Sequence, residues 1–258
     1  MGEDDRTDAA DLRAVMRASS AHRPDAATAP LELHLPFRGP WLTIRTPAHR
    51  VPSHGTHAFG QTFAFDFVAV DARRRTASVR DWRTLVGTEP VDRFIALGRP
   101  VLAPVSGRVV AVHDGEVDHE ARRSPLSLLA YGATQGTRLS RGIGAVAGNF
   151  VVLALEDRAA FIVLAHLQRG SVGVLPGSWV DLGDRVAACG NSGNSTQPHL
   201  HLHAMDSPSL PSARGIPIVF RDYESRHPTR GHVARGVPAR GEVVERPPTR
   251  VSGSPLGP

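Results

Sequence analysis

Three histidines occupy alternate positions in the stretch NSTQPHLHLHAMD, residues 194–206. Side chains along a β-strand point to opposite faces in turn, so His199, His201 and His203 would project together while the leucines between them face the other way. Histidine is the commonest metal ligand in proteins and the usual proton carrier near neutral pH. The stretch therefore indicates a metal or acid–base site; the alternative is an ordinary surface strand in a chain with 13 histidines.

Two further residues could contribute to such a site. Asp66 interrupts the strand-like segment QTFAFDFVAV, in which phenylalanines alternate with other residues. A carboxylate is costly to bury there unless a partner compensates its charge, so Asp66 is either a metal ligand or the partner of an arginine or a turn. His166 ends the apolar segment AAFIVLAHL. It either faces the same site or only bonds a backbone carbonyl at the end of a hairpin strand.

The elements that must position these residues are predicted to be short β-strands. Aromatic residues make up only 5% of the chain, whereas glycine (25) and proline (21) are plentiful, which favours strands and turns over helices. Almost no segment shows a helical period, and GNFVVLALED and AAFIVLAHL are typical of the two arms of a hairpin. We expect a mainly β fold with an antiparallel sheet or hairpin core, long loops and few helices.

The chain divides into three predicted parts. Residues 1–30 form a polar leader of marginal structure, residues 31–222 a β domain with an inserted loop at 116–146, and residues 223–258 an Arg-, Pro- and Gly-rich tail with little capacity to fold. The leader has no apolar run, so neither a signal peptide nor a membrane span is predicted. The location is left open: cytoplasmic if the start is correct, cell wall or extracellular if a leader is missing.

Several other chemistries are not supported. His119 and Glu120 begin like an HExxH zinc helix, but Arg123 occupies the place of its second histidine. No GxSxG or GxxxxGKS/T motif occurs, and the single cysteine, Cys189, excludes an internal disulfide or a cysteine-built zinc site. The formal charge of +5 comes without interleaved basic and aromatic residues, so no nucleic-acid partner is predicted. No role is assigned to His34, His113, His119, His227 or His232.

Three separated motifs together resemble those of the lysostaphin/LytM-type zinc metallopeptidases: SHGTHAFGQTFAFD (53–66), VLAHLQ (163–168) and GNSGNSTQPHLHLH (190–203). The resemblance covers roughly residues 48–206, and the GNSGNST run before PHLH is its most specific part. The first motif looks like that of a branch in which this motif is elongated. The resemblance implies a LytM-like β fold of the duplicated-hybrid-motif type and one bound zinc ion per chain.

The resemblance also implies a role for most of the candidate residues. Asp66 and His201 become zinc ligands, and His166 and His199 become the catalytic pair. His203 would be a solvated residue, or one that supports a ligand, rather than a fourth ligand. Two imidazoles and one carboxylate leave the fourth position of a tetrahedral zinc site to water, which is the arrangement of a catalytic site.

The first ligand is less certain than the others because the motif is elongated. The usual family spacing would place it four residues before the aspartate, where this chain has Thr62. His54 and His57 are the two candidates. His54 fits the elongated branch better and is the ligand we expect, with His57 as a supporting donor, although the two roles could be exchanged.

These implications predict a zinc-dependent metalloendopeptidase that hydrolyses peptide bonds, by resemblance those of peptidoglycan cross-links, through metal-activated water and two assisting histidines. The alternative is a catalytically inactive LytM-like protein that binds or regulates. Degenerate relatives lose ligands or catalytic histidines, whereas only the first ligand is in question here. We expect a monomer whose partner is a peptide or peptidoglycan, with no nucleic acid and no membrane span.

Overall fold

The computed structural model describes residues 29–124, 143–209, 212–227 and 230–247. Nearly all of the predicted leader lies outside these ranges, and so do residues 125–142 of the predicted inserted loop and residues 248–258. Among the described residues, no helix combines the length and the apolar character needed to cross a membrane.

The described residues form fourteen short strands and few helical segments. The strands are β1 (Leu31–Leu33), β2 (Trp41–Arg45), β3 (Phe65–Ala69), β4 (Pro100–Leu102), β5 (Gly107–His113), β6 (Asn149–Ala154), β7 (Phe161–Leu167), β8 (Trp179–Val180), β9 (Arg185–Ala188), β10 (Leu200–Met205), β11 (Gly215–Ile216), β12 (Ile218–Ser225), β13 (Gly231–Gly236) and β14 (Val243–Glu245). The helical segments are α1 (Trp82–Val86), α2 (Ile143–Ala147) and two 3-10 segments, Ala58–Phe63 and Val91–Arg93.

Most strands join one large sheet in the order β1-β12-β14-β2-β3-β10-β7-β6-β5-β8, with β11 beside β10 and β13 beside β12. β4 and β9 form a separate two-stranded sheet. Among the described strand pairs, only β1 with β12 is parallel. The prediction of a mainly β, antiparallel fold is confirmed, including the hairpin formed by β6 and β7.

One face of the central strands packs against an apolar core. Phe65 and Phe67 of β3 contact Phe220 of β12, with ring centroids 5.1 and 5.8 Å from that ring, and the leucines of the HLHLH run belong to the same cluster. Such edge-to-face aromatic contacts each add about 0.5–1.5 kcal/mol to the burial of the rings. Because successive strand residues point to opposite faces, Asp66 and His201 are directed away from this core.

The C-terminal strands correct the prediction of an unfolded tail. β14 is inserted in the main sheet between β12 and β2, and Val243 and Val244 are buried there. The adjacent carboxylate of Glu242 is also buried and accepts a hydrogen bond from the Arg230 guanidinium at 3.0 Å. The prediction was wrong for residues 223–245 because their arginines, which suggested a segment unable to fold, form ion pairs in the folded protein.

Candidate metal centre

Neighbouring strands bring Asp66 and His201 into contact. Asp66 of β3 is paired directly with His201 of β10, and Oδ1 of the carboxylate lies 2.9 Å from Nδ1 of the imidazole. β7 flanks β10 on the other side, with Ala165 opposite His201. The next residue along β7 is His166, whose ring centroid lies 5.8 Å from that of His201. The three central strands therefore bring together one residue from each of the three sequence motifs: Asp66, His166 and His201.

His54 completes a cluster that could hold a metal ion. Its Nε2 lies 2.9 Å from Oδ2 of Asp66, and its Nδ1 lies 3.0 Å from the hydroxyl of Ser53. One ligand atom from each of His54, Asp66 and His201 lies within 4.8 Å of the others. Two imidazole nitrogens and one carboxylate oxygen are the ligand types that zinc favours, and three protein ligands leave a position for water. The residues present therefore fit a catalytic zinc ion.

The loop between β2 and β3 turns His57 away from this cluster. Nδ1 of His57 lies 3.0 Å from the hydroxyl of Thr62, which occupies the usual ligand position and is itself buried. Two consecutive residues of the 3-10 segment Ala58–Phe63 have positive φ angles, 58° and 72°, and these kink the segment. Of the two candidate first ligands, the structure brings His54, not His57, to the Asp66 carboxylate.

His166 and His199 form a pair of imidazoles beside the cluster. Their ring centroids are 4.7 Å apart, and Nε2 of His199 lies 3.6 Å from Oδ1 of Asp66. Nδ1 of His166 donates to the carbonyl of Ser192 at 2.9 Å, and Nδ1 of His199 donates to the carbonyl of Gln197 at 2.8 Å. A neutral imidazole has one N–H, so the Nε2 atom of each ring is left free to accept a proton. His166 also has a φ of 60°, a strained conformation that is enriched at functional sites.

Burial and charge set the protonation states of these groups. Burial works to raise the pKa of the Asp66 carboxyl, but attraction to His54 and His199 and hydrogen bonds from neighbouring imidazoles outweigh it and hold that pKa well below its usual range. Burial is also the main cause that lowers the pKa of His166 and the pKa of His201. An ionised carboxylate beside neutral imidazoles is the combination that a metal cation requires.

His203 lies behind His201 rather than in solvent. Its ring is only 4% exposed, and its Nδ1 lies 3.0 Å from Nε2 of His201, on the side of that ring opposite to Asp66. Burial lowers its pKa well below the usual value for a histidine. The structure therefore places His203 in contact with His201 and not in solvent.

Residues 114–124, here called the strap, contact the loop 190–195, whose Ser192 carbonyl accepts a hydrogen bond from His166. Asp118 accepts a hydrogen bond from the backbone N–H of Asn191 at 2.6 Å, and Nε2 of His119 lies 2.8 Å from a carbonyl of the same loop. Neither Asp118 nor His119 is assigned a role from the sequence. The partners are 73 and 74 positions apart in the chain, so no local spacing could have indicated them.

Comparison with known proteins connects this centre with one peptidase family. Residues 88–210 match the model described as Peptidase family M23. The match contains His166, His199 and His201 but begins after His54 and Asp66. The structure shows that these two residues lie close to the other three. No curated protein matches the sequence. The family match confirms the resemblance to lysostaphin/LytM-type peptidases.

Several solved structures are similar to the chain. The catalytic domain of the antimicrobial peptidase lysostaphin from Staphylococcus simulans is 18% identical, covering 69% of this chain and 88% of that chain with a TM-score of 0.36. A mutant catalytic domain of the prophage-encoded M23 protein EnpA from Enterococcus faecalis is 17% identical, covering 74% and 95% with a TM-score of 0.39. A zinc-containing peptidase from Vibrio cholerae is 19% identical with a TM-score of 0.35; the match covers 70% of this chain but only 35% of that one.

Proposed function

We propose that this chain, which carries a Peptidase family M23 domain in residues 88–210, is a zinc-dependent metalloendopeptidase that cleaves the peptide cross-links of bacterial peptidoglycan. The observation that supports this most directly is the convergence of His54, Asp66 and His201 within 4.8 Å, with a second pair of imidazoles beside them. The catalytically inactive alternative loses support because the structure brings all five candidate side chains together, with His54 in place of the usual first ligand.

His54, Asp66 and His201 would hold the zinc ion through Nε2, a carboxylate oxygen and Nδ1 respectively. When bound, zinc would polarise the scissile carbonyl and acidify a coordinated water toward a pKa of about 7. The carboxylate contributes most to charge balance because it is the only anion among the three ligands. Each of the two imidazole nitrogens lies 2.9 Å from a different oxygen of Asp66, so the three ligands are gathered around one position.

His166 and His199 would move the protons. Their Nδ1 atoms are committed to backbone carbonyls, which fixes both rings and leaves both Nε2 atoms for the reaction. One ring accepts the proton of the attacking water on Nε2 and later delivers it to the leaving amine. The other ring, once it carries a proton on Nε2 as well as on Nδ1, donates a hydrogen bond to the oxyanion that forms on the carbonyl.

Peptidoglycan as the substrate rests on the family resemblance rather than on a contact in this structure. Asp66 and His201 lie on adjacent strands of the sheet, and His54, His166 and His199 lie beside them. This arrangement suits an extended peptide better than a bulky side chain. Small residues at the scissile bond, such as glycine and alanine of wall cross-links, can approach such a face closely.

The test measures zinc and peptide release on the same preparations. Purified wild-type protein is expected to hold one zinc per chain by elemental analysis and to release new amino termini from isolated sacculi. Asp66→Ala is expected to lose both zinc and activity. His199→Ala is expected to keep zinc and to lose about 10²–10⁴-fold in kcat, the usual contribution of a general acid or base.

His232→Ala is the matched control because His232 is exposed on β13 and pairs with Glu224, away from the metal centre. It should behave as the wild type in both assays. Wild-type protein that holds zinc but releases nothing from sacculi or from soluble wall peptides would favour the inactive, binding alternative. Full activity of His199→Ala would remove that residue from the mechanism.

A further inference from the structure

We propose that His203 is a positioning residue for the metal ligand His201: it accepts the hydrogen on Nε2 of His201 and so keeps the Nδ1 lone pair of that ring directed at the metal position. The inference rests on the metal centre of the proposed function. It concerns how tightly that centre holds the ion and not which bond is cleaved.

The two rings are in direct hydrogen-bond contact. Nε2 of His201 and Nδ1 of His203 are 3.0 Å apart, and the ring planes meet at 72° with centroids 5.2 Å apart. Both side chains are buried and lie two residues apart on the same face of β10. Since strand side chains at this spacing project in parallel, the contact follows from the strand itself and requires no unusual backbone.

The direction of the hydrogen bond follows from the chemistry of the metal ligand. Nδ1 of His201 faces Asp66 and must carry no hydrogen when it binds a cation, so the single hydrogen of the neutral ring lies on Nε2. His201 therefore donates and His203 accepts through Nδ1. A bond of this kind fixes both the tautomer and the rotation of a ligating imidazole, which is how groups behind metal ligands increase affinity.

The elongated first motif holds His203 in this orientation. Gly60, with a φ of 72°, brings the backbone close to β10: a methyl group built on it would lie 2.7 Å from Cβ of Met205 and 3.7 Å from the His203 ring. Nε2 of His203 lies toward the backbone of Phe59, is buried, and makes no hydrogen bond of normal geometry among the described residues. Enclosed in this way, the ring cannot turn to solvent, and Nδ1 remains toward His201.

The experiment compares the zinc affinity of the full chain and its variants by competition with a chromogenic chelator, without any peptidase assay. His203→Leu removes the acceptor and keeps an apolar side chain, and it is expected to bind zinc about 10–100-fold more weakly than wild type. His203→Asn places an oxygen acceptor close to the position of Nδ1 and is expected to recover most of that loss. Cobalt(II)-loaded His203→Leu should show an altered ligand-field absorption band, because its imidazole ligand is free to rotate.

Two controls separate this inference from general damage and from the metal site itself. His232→Leu, an exposed histidine on β13, should bind zinc as the wild type does. His201→Ala should bind zinc more weakly than His203→Leu. If His201→Ala binds zinc as tightly as wild type, His201 is not a ligand, and the inference about His203 is contradicted as well. Wild-type affinity in His203→Leu, together with weak binding in His201→Ala, would overturn the role of His203 alone.

A third comparison applies if His203→Leu fails to fold, as judged by circular dichroism of the zinc-free protein. His203→Gln carries its acceptor oxygen further out, near the position of Nε2 rather than Nδ1. We then expect His203→Asn to bind zinc more tightly than His203→Gln. Equal affinity of these two variants would contradict the proposed hydrogen bond.

Discussion

At the scale of single residues, the charge of Asp66 determines what the centre can bind. The residue is only 4% exposed, a position in which an uncompensated carboxylate would be strongly destabilising. The nearest arginine, Arg45, is half exposed, and its Nε lies 3.5 Å from Oδ2, further away than either neighbouring imidazole nitrogen. The two imidazoles give the carboxylate hydrogen bonds. A divalent cation would supply a compensating positive charge and use the same imidazoles as ligands.

The elongated first motif offers two histidines three positions apart, and they should differ sharply in their effect on zinc. His54→Ala removes a nitrogen 2.9 Å from the Asp66 carboxylate, so we expect it to lose more zinc affinity than the about 10–100-fold typical of a residue that only supports a ligand. His57→Ala removes a ring that contacts Thr62, so its loss of zinc affinity should not exceed about 10–100-fold.

The measurement is chelator competition on both variants, with thermal melting of the zinc-free proteins to show that each is folded. The two substitutions remove the same side chain from the same loop, so each serves as the control of the other. Equal loss of zinc in both would mean that His57 shares the ligand position. A greater loss in His57→Ala would exchange the two assignments.

At the scale of elements, the site depends on the register of three adjacent strands. β10 lies between β3 and β7, and the pairs His201–Asp66 and His201–Ala165 are fixed by the backbone ladders on its two sides. Because side chains alternate faces, a slip of one residue would send the imidazoles into the apolar core and the leucines to the metal side. The hydrophobic pattern that folds the sheet thus also selects which side chains meet at the metal position.

The strap should act on turnover through the loop 190–195. Asp118 accepts hydrogen bonds from the backbone of Asn191 at 2.6 Å and of Arg169 at 3.0 Å, and that loop supplies the carbonyl that orients His166. We expect Asp118→Ala to lower kcat about 10- to 100-fold, as small displacements of catalytic groups do, while the zinc content is unchanged. Steady-state kinetics on a wall peptide, with elemental analysis, would measure both.

Asp114→Ala is the matched control for that prediction. Asp114 also lies in the strap and also accepts two backbone hydrogen bonds, from Gly170 at 2.6 Å and Val172 at 3.0 Å, but neither donor belongs to the loop 190–195. The Asp114→Ala substitution should lower the free energy of unfolding by about 1–3 kcal/mol, as the loss of charge-assisted hydrogen bonds does, and should change kcat little. If both variants reduce kcat equally, the strap acts through general stability and not through the catalytic loop.

Elements with a clear alternation could be predicted from the sequence, and elements held by distant ion pairs could not. The β6–β7 hairpin was evident as two apolar runs joined by a short turn, and the strand that begins in the HLHLH run was evident because its apolar residues repeat at period two. β14 has only three residues and is preceded by a glycine and a buried glutamate, so its place between β12 and β2 depends on partners far along the chain. The choice between His54 and His57 likewise required the positive φ angles of the intervening turn.

At the scale of the whole molecule, the C-terminal strands support the strands that carry the candidate metal ligands Asp66 and His201. β14 pairs with β2, and β2 pairs with β3, the strand of Asp66. β12 lies beyond β14 and contributes Phe220 to the core beneath β3. The fold that positions the site therefore continues well beyond residues 88–210, the range that matches the family.

The buried imidazoles should make the stability of the zinc-free protein depend on pH. Burial lowers the pKa of His166, of His201 and of His203 in the folded state, whereas in the unfolded chain each would titrate near 6.5. Between pH 6.5 and the lower folded values, the unfolded chain binds more protons. The free energy of unfolding must then fall as the pH falls, by up to about 1.4 kcal/mol per pH unit for each histidine that stays neutral in the fold.

Asp66 does not offset this loss in the same range. Its pKa is depressed in the fold, so its contribution to stability is fully present above the unfolded value near 4 and is lost only as the pH falls toward the lower folded value. Urea unfolding of zinc-free protein at pH 7.5 and pH 5.5 should therefore give a lower free energy at pH 5.5. His166→Gln should reduce that difference and the exposed control His232→Gln should not; a free energy that rises on acidification would contradict the assignment of neutral, buried imidazoles to this centre.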